Sequence, residues 1–552
     1  MRRALHGLLA GALAGALAGA LALVCPGCRA HQPARLFAPD AAVLRLALAD
    51  DVPTLDPAAG YDTASWEFEQ VLFDTLLRYA SDSNELRPDL ALSWEVSPDA
   101  RVFAFHMRAD ARFTNGRPVT SADLRYSIER VLNPKTRSQG VQYFLPLLGA
   151  ADFAAGRATH ARGIETPDPY TIIFRLDKPD PIFLHKLAMP FAAAVPKEVV
   201  ERWGDDFARH AVGSGPFMLK EWLSGQRLVL IKNPHYFIPG RPKLDAIVAL
   251  IGVNEELQWL KFEAGEIDVS SIPPAEFTYV MKTPRLKTLT IHHVTATTNY
   301  LGMNCRMAPF SDVRVRQAFN YAVNKQKLVA ILNGRGVVAR GVLPPGMPGY
   351  DPDIGGYPYD PAKARRLLEQ AGVRAGFAPV VWLTADPTMM ILGQSIQQDL
   401  ALVGVDLLLK PVAWGPLLDA VREPRAVQLF LLGWGADFPD PQNFLEVLFS
   451  KAQWGTNNDT FYSDPKVEEL LAQASVVAEP ARRYALYQQI QQLIVGDAPW
   501  VFLYHPVAYV IRQPWVRGIR LHPLRPARLD HIYLAPSVAP RGTAPSAADI
   551  TP

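Results

Sequence analysis

Short β-rich runs and capped helical segments alternate along the chain, and this alternation constrains the fold more than any other feature. The runs 171–176, 227–232, 246–251, 299–303, 427–432 and 501–511 are rich in β-branched and aromatic residues, the last interrupted by Pro506. Helices are announced by their caps. In Thr120-Ser121-Ala122-Asp123, Thr120 can cap the N3 amide while Asp123 reaches back, and Leu124, Ile128 and Val131 then share one face. Asp360-Pro361 and Asp464-Pro465 each put an acid at the N-cap and a proline at the first helical position, and Gly372 ends the first of these helices. Asn254 opens another, ending near Gly265, and Val315, Phe319, Ala322 and Val323 mark a helix running to about Leu332. Strands and helices interspersed in this way predict an α/β class with mixed sheets.

A chain of 552 residues has room for about two to four compact units. The 48 prolines imply many fixed loops and few very long helices. Lys+Arg 56 against Asp+Glu 54 leaves +2, without the basic excess of a nucleic-acid binder. Three cysteines cannot build a disulfide framework, and Cys305 reads as a small buried apolar residue. No repeat of solenoid length is visible.

The amino terminus reads as an export signal over residues 1–28. Arg2 and Arg3 precede an uncharged run, 8–24, closed by Cys25 and Cys28. An uncleaved anchor is an alternative, since the run could barely span a bilayer. The cysteines also suggest a lipoprotein: Cys28 follows the small Gly27, and Cys25 follows Ala22-Leu23-Val24. Lipidation at Cys28 or Cys25 is therefore expected, on a protein exported to the periplasm or the outer face of the cytoplasmic membrane. Residues 29–40 form a polar linker, and 536–552, rich in Ala, Pro, Ser and Gly, a disordered tail.

Catalytic signatures with a known mechanism, such as H-E-x-x-H, the P-loop, G-x-S-x-G and G-x-G-x-x-G, do not occur. His292-His293 point to opposite faces of a strand and make a poor metal pair. Asp437 and Asp440 could form a general acid/base pair, although Asp440, between two prolines, reads first as a turn cap. Neither a metal nor a cofactor is implied.

The segment from Phe103 through Arg112, Asn115-Gly116 and Pro118-Val119-Thr120-Ser121-Ala122-Asp123 resembles the hallmark of the family-5 extracellular solute-binding proteins, the peptide and nickel receptors of bacterial ABC importers. Further matches follow in order: Leu55-Asp56-Pro57, Gly213-Ser214-Gly215-Pro216-Phe217, Tyr321-Ala322-Val323-Asn324, Tyr359-Asp360-Pro361 and Trp434-Gly435-Ala436-Asp437. The resemblance covers roughly residues 45–535.

It implies a two-lobed clamshell of the type II periplasmic binding-protein kind, with an extra subdomain near the amino terminus. Lobe I would comprise 41–75, 185–297 and 500–535, the subdomain 76–184, and lobe II 298–499, joined by crossings near 298–302 and 499–504. A small peptide would lie between the lobes, and the closed monomer would dock on an ABC permease without catalysis. A peptide always offers an α-ammonium and a repeating main chain, so a carboxylate and a strand edge should hold it. By resemblance Asp437 is the amine-binding carboxylate. Gly433 and Gly435 would let a peptide backbone approach, Trp434 and Trp414 would wall side-chain pockets, Tyr504 would donate its hydroxyl, and Asp51 would face ligand. The same fold could instead take a nickel chelate, an oligosaccharide or an opine, and an exported hydrolase using Asp437 and Asp440 is a further alternative.

Overall fold

The computed structural model describes residues 36–38, 40–522, 524 and 528–536. The export signal with Cys25 and Cys28, and the tail beyond 536, lie outside the described residues.

Three larger sheets organise the described residues, beside two two-stranded ones. The first has four strands in the order Val43–Leu48, Ala246–Ile251, Arg227–Lys232, Phe217–Leu223. Its first pair is parallel and the others antiparallel. All six residues of Ala246–Ile251 are buried, which is why this strand reads as an unbroken apolar run rather than an alternating one. Leu44, Phe68, Phe217, Leu228, Ile247 and Val516 share its core. The Gly213-Ser214-Gly215 segment passes so close to the helix Thr63–Leu72 that a Cβ on Gly213 would sit 2.0 Å from the Leu72 carbonyl oxygen.

The second sheet is antiparallel, in the order Ala91–Val96, Val102–Met107, Thr171–Arg175, Ile164–Asp168. Phe103 and Phe105 point inward while His106 points out, the period of two expected of a half-buried strand. The helix Ser121–Leu132 packs Leu124 and Ile128 into the same core. At its start the Thr120 amide donates to the Asp123 carboxylate at 2.8 Å. This is the extra subdomain.

The third sheet has eight strands and runs Val269–Ser271, Trp500–Arg512, Thr297–Met303, Leu429–Gly435, Val380–Thr384, Leu408–Val412, with Thr290–Val294 and Gly336–Val338 also paired to Trp500–Arg512. Trp500–Arg512 is continuous through Pro506, where a break was expected. Pro506 lies where the strand exchanges neighbours, Asn299 pairing with Tyr504 before it and Val294 with Val507 after it, so the missing N–H falls at the changeover.

That strand links the lobes. Residues 500–504 and 300–301 are packed in the two cores of the second lobe. Val269, paired to the far end of the strand, packs against the first-lobe core. Between those two ends, residues 504–511 of the strand pair with Gly336–Val338 and Thr290–Val294. A second difference is that the helix expected to reach Leu332 is two helices, Val313–Ala322 and Lys325–Ile331. The Asn324 side chain caps the second by accepting from the Lys327 amide at 3.0 Å, which interrupts the first.

Candidate interlobe binding site

The strand Leu429–Gly435 carries the site. On one side it pairs along its whole length with Thr297–Met303. On the other, Val380–Thr384 pairs only with Leu429 and Phe430, so from Leu431 onward that edge has no strand beside it. Gly433 and Gly435 lie on this open stretch. A Cβ on Gly433 would stand 2.6 Å from the Asn299 Oδ1.

Just beyond the strand, Asp437 is held where the lobes meet. Its amide donates to Asn443 Oδ1 at 3.0 Å, and Asn443 Nδ2 donates back to Asp437 Oδ2 at 3.0 Å. From the first lobe the Tyr61 hydroxyl donates to Oδ1 at 2.9 Å, and from the subdomain Tyr143 donates to Oδ2 at 3.0 Å. Burial, and then the charge of Asp437, pushes both tyrosine hydroxyls above their ordinary pKa, so both stay protonated donors. The next residue, Phe438, is buried in the subdomain core and meets Tyr143 edge to face at 6.3 Å. Asp437 and Phe438 therefore reach from one lobe into the other.

Two cavities adjoin this bridge. One, of about 650 Å³, is lined by Gly433, Trp434, Trp414 and Asp437 among others. The second, of about 480 Å³, shares Tyr61, Trp414, Trp434 and Asp437 with the first and adds Gly435. Trp434 is fixed by an Nε1 hydrogen bond of 3.1 Å to Asn443, whereas Trp414, at the start of the helix Trp414–Val421, is 56% exposed.

The remaining candidates lie elsewhere. Tyr504 is 5% exposed and packs beside Gly336 in a second-lobe core, lining neither cavity; burial pushes its hydroxyl pKa up to about 12. The register explains this: Tyr504 faces Val338 and Asn299 inside the sheet. Asp51 accepts from Trp222 Nε1 and the Gly225 amide, each at 2.9 Å, and from the Ser224 hydroxyl. It braces the hairpin between Phe217–Leu223 and Arg227–Lys232, outside both cavities. Asp440 is 1% exposed and engaged by both Nη atoms of Arg483, one at 2.7 Å. It is an ion-pair anchor rather than the turn cap alone, and it lines neither cavity. Burial pushes the Cys305 thiol up to about 11.

Sequence reasoning missed Tyr61, Tyr143 and Asn443. Asn443 alone had a local signal, being six residues after Asp437 in the helix Gln442–Phe449. The tyrosines lie 376 and 294 positions from Asp437.

Two α/β lobes joined by crossing strands, with cavities along their seam, define a two-lobed solute-binding protein. The chain belongs to the bacterial extracellular solute-binding proteins, family 5, whose model matches residues 85–456. It is 29% identical to the probable D,D-dipeptide-binding periplasmic protein of Escherichia coli, over 87% of this chain and 92% of that one. It is 31% identical to di/tripeptide-binding protein 4 of Pseudomonas aeruginosa, over 82% and 88% of the two chains. Among solved structures it resembles the ABC transporter-associated periplasmic binding protein of Helicobacter pylori in complex with a peptide. That match has a TM-score of 0.76 at 29% identity and covers 90% of this chain and 98% of the other.

Proposed function

We propose that this protein is the extracytoplasmic receptor of an ABC importer, capturing di- or oligopeptides between its lobes and delivering them, as a monomer, to a membrane permease. One observation carries the reading: a carboxylate, Asp437, stands at the seam beside a 650 Å³ cavity, next to an open strand edge. That volume is within the range of about 300–1,000 Å³ usual for small-ligand sites. The ligand's ammonium would join the donors around Asp437, a charge-assisted bond that strengthens as closure excludes water. Its main chain would pair with 431–435, as in strand addition. Gly433 and Gly435 suit that approach because neither projects a side chain over the edge.

The protein acts by binding, not catalysis. A hydrolase would need Asp440 as the partner of Asp437, and Arg483 already occupies both its oxygens. Closure itself is the signal to the permease, since ligand shifts the open–closed balance only by its extra contacts in the closed state. The mature protein is exported, with Cys28 or Cys25 as the lipid-bearing residue.

Calorimetry with di-, tri- and pentapeptides, alongside a maltooligosaccharide and a nickel chelate, tests the reading. Stoichiometric uptake of peptides without release of amino acids is expected. Uptake of the sugar or chelate with no peptide bound, or turnover of peptide, would overturn it.

A further inference from the structure

Of the three carboxylates that line the large cavity, one has no hydrogen bond within the fold. This is Asp459, which lines the cavity together with Tyr300, Arg422 and Thr456. Its Oδ1 is buried without a hydrogen-bond partner. Arg422 gives its Nε to the Thr456 carbonyl at 3.0 Å. Burial accordingly lifts the Asp459 pKa to about 7, with Arg422 offsetting this only in part.

The loop bearing Asp459 is fixed on both sides. Asn458 Nδ2 donates to the carbonyls of Ser450 at 3.0 Å and Tyr462 at 2.9 Å, and its Oδ1 accepts from the Thr460 hydroxyl at 3.1 Å. The Thr460 carbonyl in turn accepts from the Cys305 amide at 2.8 Å. Asp459 is half-buried, but a buried carboxylate oxygen left without a hydrogen bond is costly to keep charged, and one held on a rigid loop is organised in advance for a partner.

Arg422 attracts Asp459 without bonding to it, and no other charge of the wall hydrogen-bonds its buried oxygen. Asp437 already accepts from Tyr61, Tyr143 and Asn443, and Glu446 accepts from Gln442 at 2.7 Å. Lys186 is paired with Asp180 at 2.6 Å. The lining therefore carries Asp437, Glu446 and Asp459 against Lys186 and Arg422, with Lys186 already neutralised from outside.

We infer that Asp459 is a specificity-determining residue: it receives a cationic, donor-rich side chain of the ligand, of the lysine or arginine kind, at a point separate from the α-ammonium site. The inference rests on the peptide reading above. It gives the protein a preference for basic peptides.

The test is calorimetry on the full chain near pH 7 with trialanine and six derivatives carrying lysine or norleucine at each position in turn. Norleucine keeps the lysine stem and removes the ammonium. At one position lysine should bind about tenfold tighter or more than norleucine. Asp459→Asn should erase that ratio and leave trialanine affinity unchanged. On wild-type protein alone, repeating the titration in two buffers of different ionisation enthalpy should detect proton release with the lysine peptide and not with norleucine. That second readout does not depend on the variant folding. If trialanine binds but the lysine/norleucine ratio is the same with and without Asp459, or lysine releases no proton, the inference is overturned and the peptide reading stands. If none of the peptides binds, both fall.

Discussion

Asp437 and Asp440 are three positions apart and have opposite fates. Asp440 points into the protein and is matched by Arg483, with side chains 2% and 4% exposed, so both charges are out of water and depend on each other. Breaking such a pair by removing one partner costs about 3–5 kcal/mol. Asp440→Asn should therefore lower the melting temperature by several degrees while leaving peptide affinity of the folded protein unchanged. Scanning calorimetry and ligand titration of the same sample check this; lost affinity at unchanged stability would return Asp440 to the binding site. At this scale the sequence was informative where chemistry is local. Gly433, Trp434, Gly435 and Asp437 form one contiguous motif, and they lie together at the seam. Tyr61 sits in an irregular segment and Tyr143 in the one-turn helix Val141–Phe144, both too short to show a periodicity, and only the tertiary fold brings their hydroxyls within 3.3 Å of each other. Asp51 could not be told from a ligand group because the donors that absorb it come from a hairpin about 170 residues away.

Among elements, those defined by their own residues were legible. Ala246–Ile251 has the limits its apolar run suggested, and Pro361–Gln370 and Pro465–Ala474 begin where their Asp-Pro pairs put them. The strand expected over 427–432 instead covers Leu429–Gly435, because Thr297–Asn299 provide partners that draw the two glycines into the ladder. The crossing strand holds a titratable group of consequence. His505 is 2% exposed, with Nδ1 near the Thr298 hydroxyl and the Thr297 carbonyl, each at 3.1 Å, and burial lowers its pKa to about 4. An unfolded histidine titrates near 6.5. Between these values the unfolded chain binds the extra proton, so stability falls as pH drops from about 6.5 to 4, by about 1.4 kcal/mol per pH unit from this residue. In His505→Gln that contribution vanishes. The melting temperature of the wild type should thus fall more steeply than that of the variant between pH 6.5 and 4.5, and parallel curves would contradict the assignment.

For the whole molecule, the decisive contacts are those that cross the seam. Tyr61 and Tyr143 donate to a carboxylate from the opposite lobe, and Phe438 fills the subdomain core. Hydrogen bonds to charged groups contribute about 1.5–3 kcal/mol each, enough to shift an open–closed equilibrium by one to two orders of magnitude. The double variant Tyr61→Phe, Tyr143→Phe should shift the open–closed balance of the unliganded protein further toward the open form, raising its radius of gyration in small-angle scattering, and saturating peptide should restore the compact value. An unchanged radius without ligand would mean that these hydroxyls do not hold the lobes together.

The central claim is that Asp437 recognises the positive end of a peptide, and a double-mutant cycle measures it most directly. One good tripeptide, free and N-acetylated, is titrated into wild type and Asp437→Asn. Acetylation and substitution should each weaken binding by about ten- to a hundredfold, and the two together by little more than either alone, a coupling of about 1.5–3 kcal/mol. Losses that simply multiply, or a free amine that contributes nothing in the wild type, would contradict it.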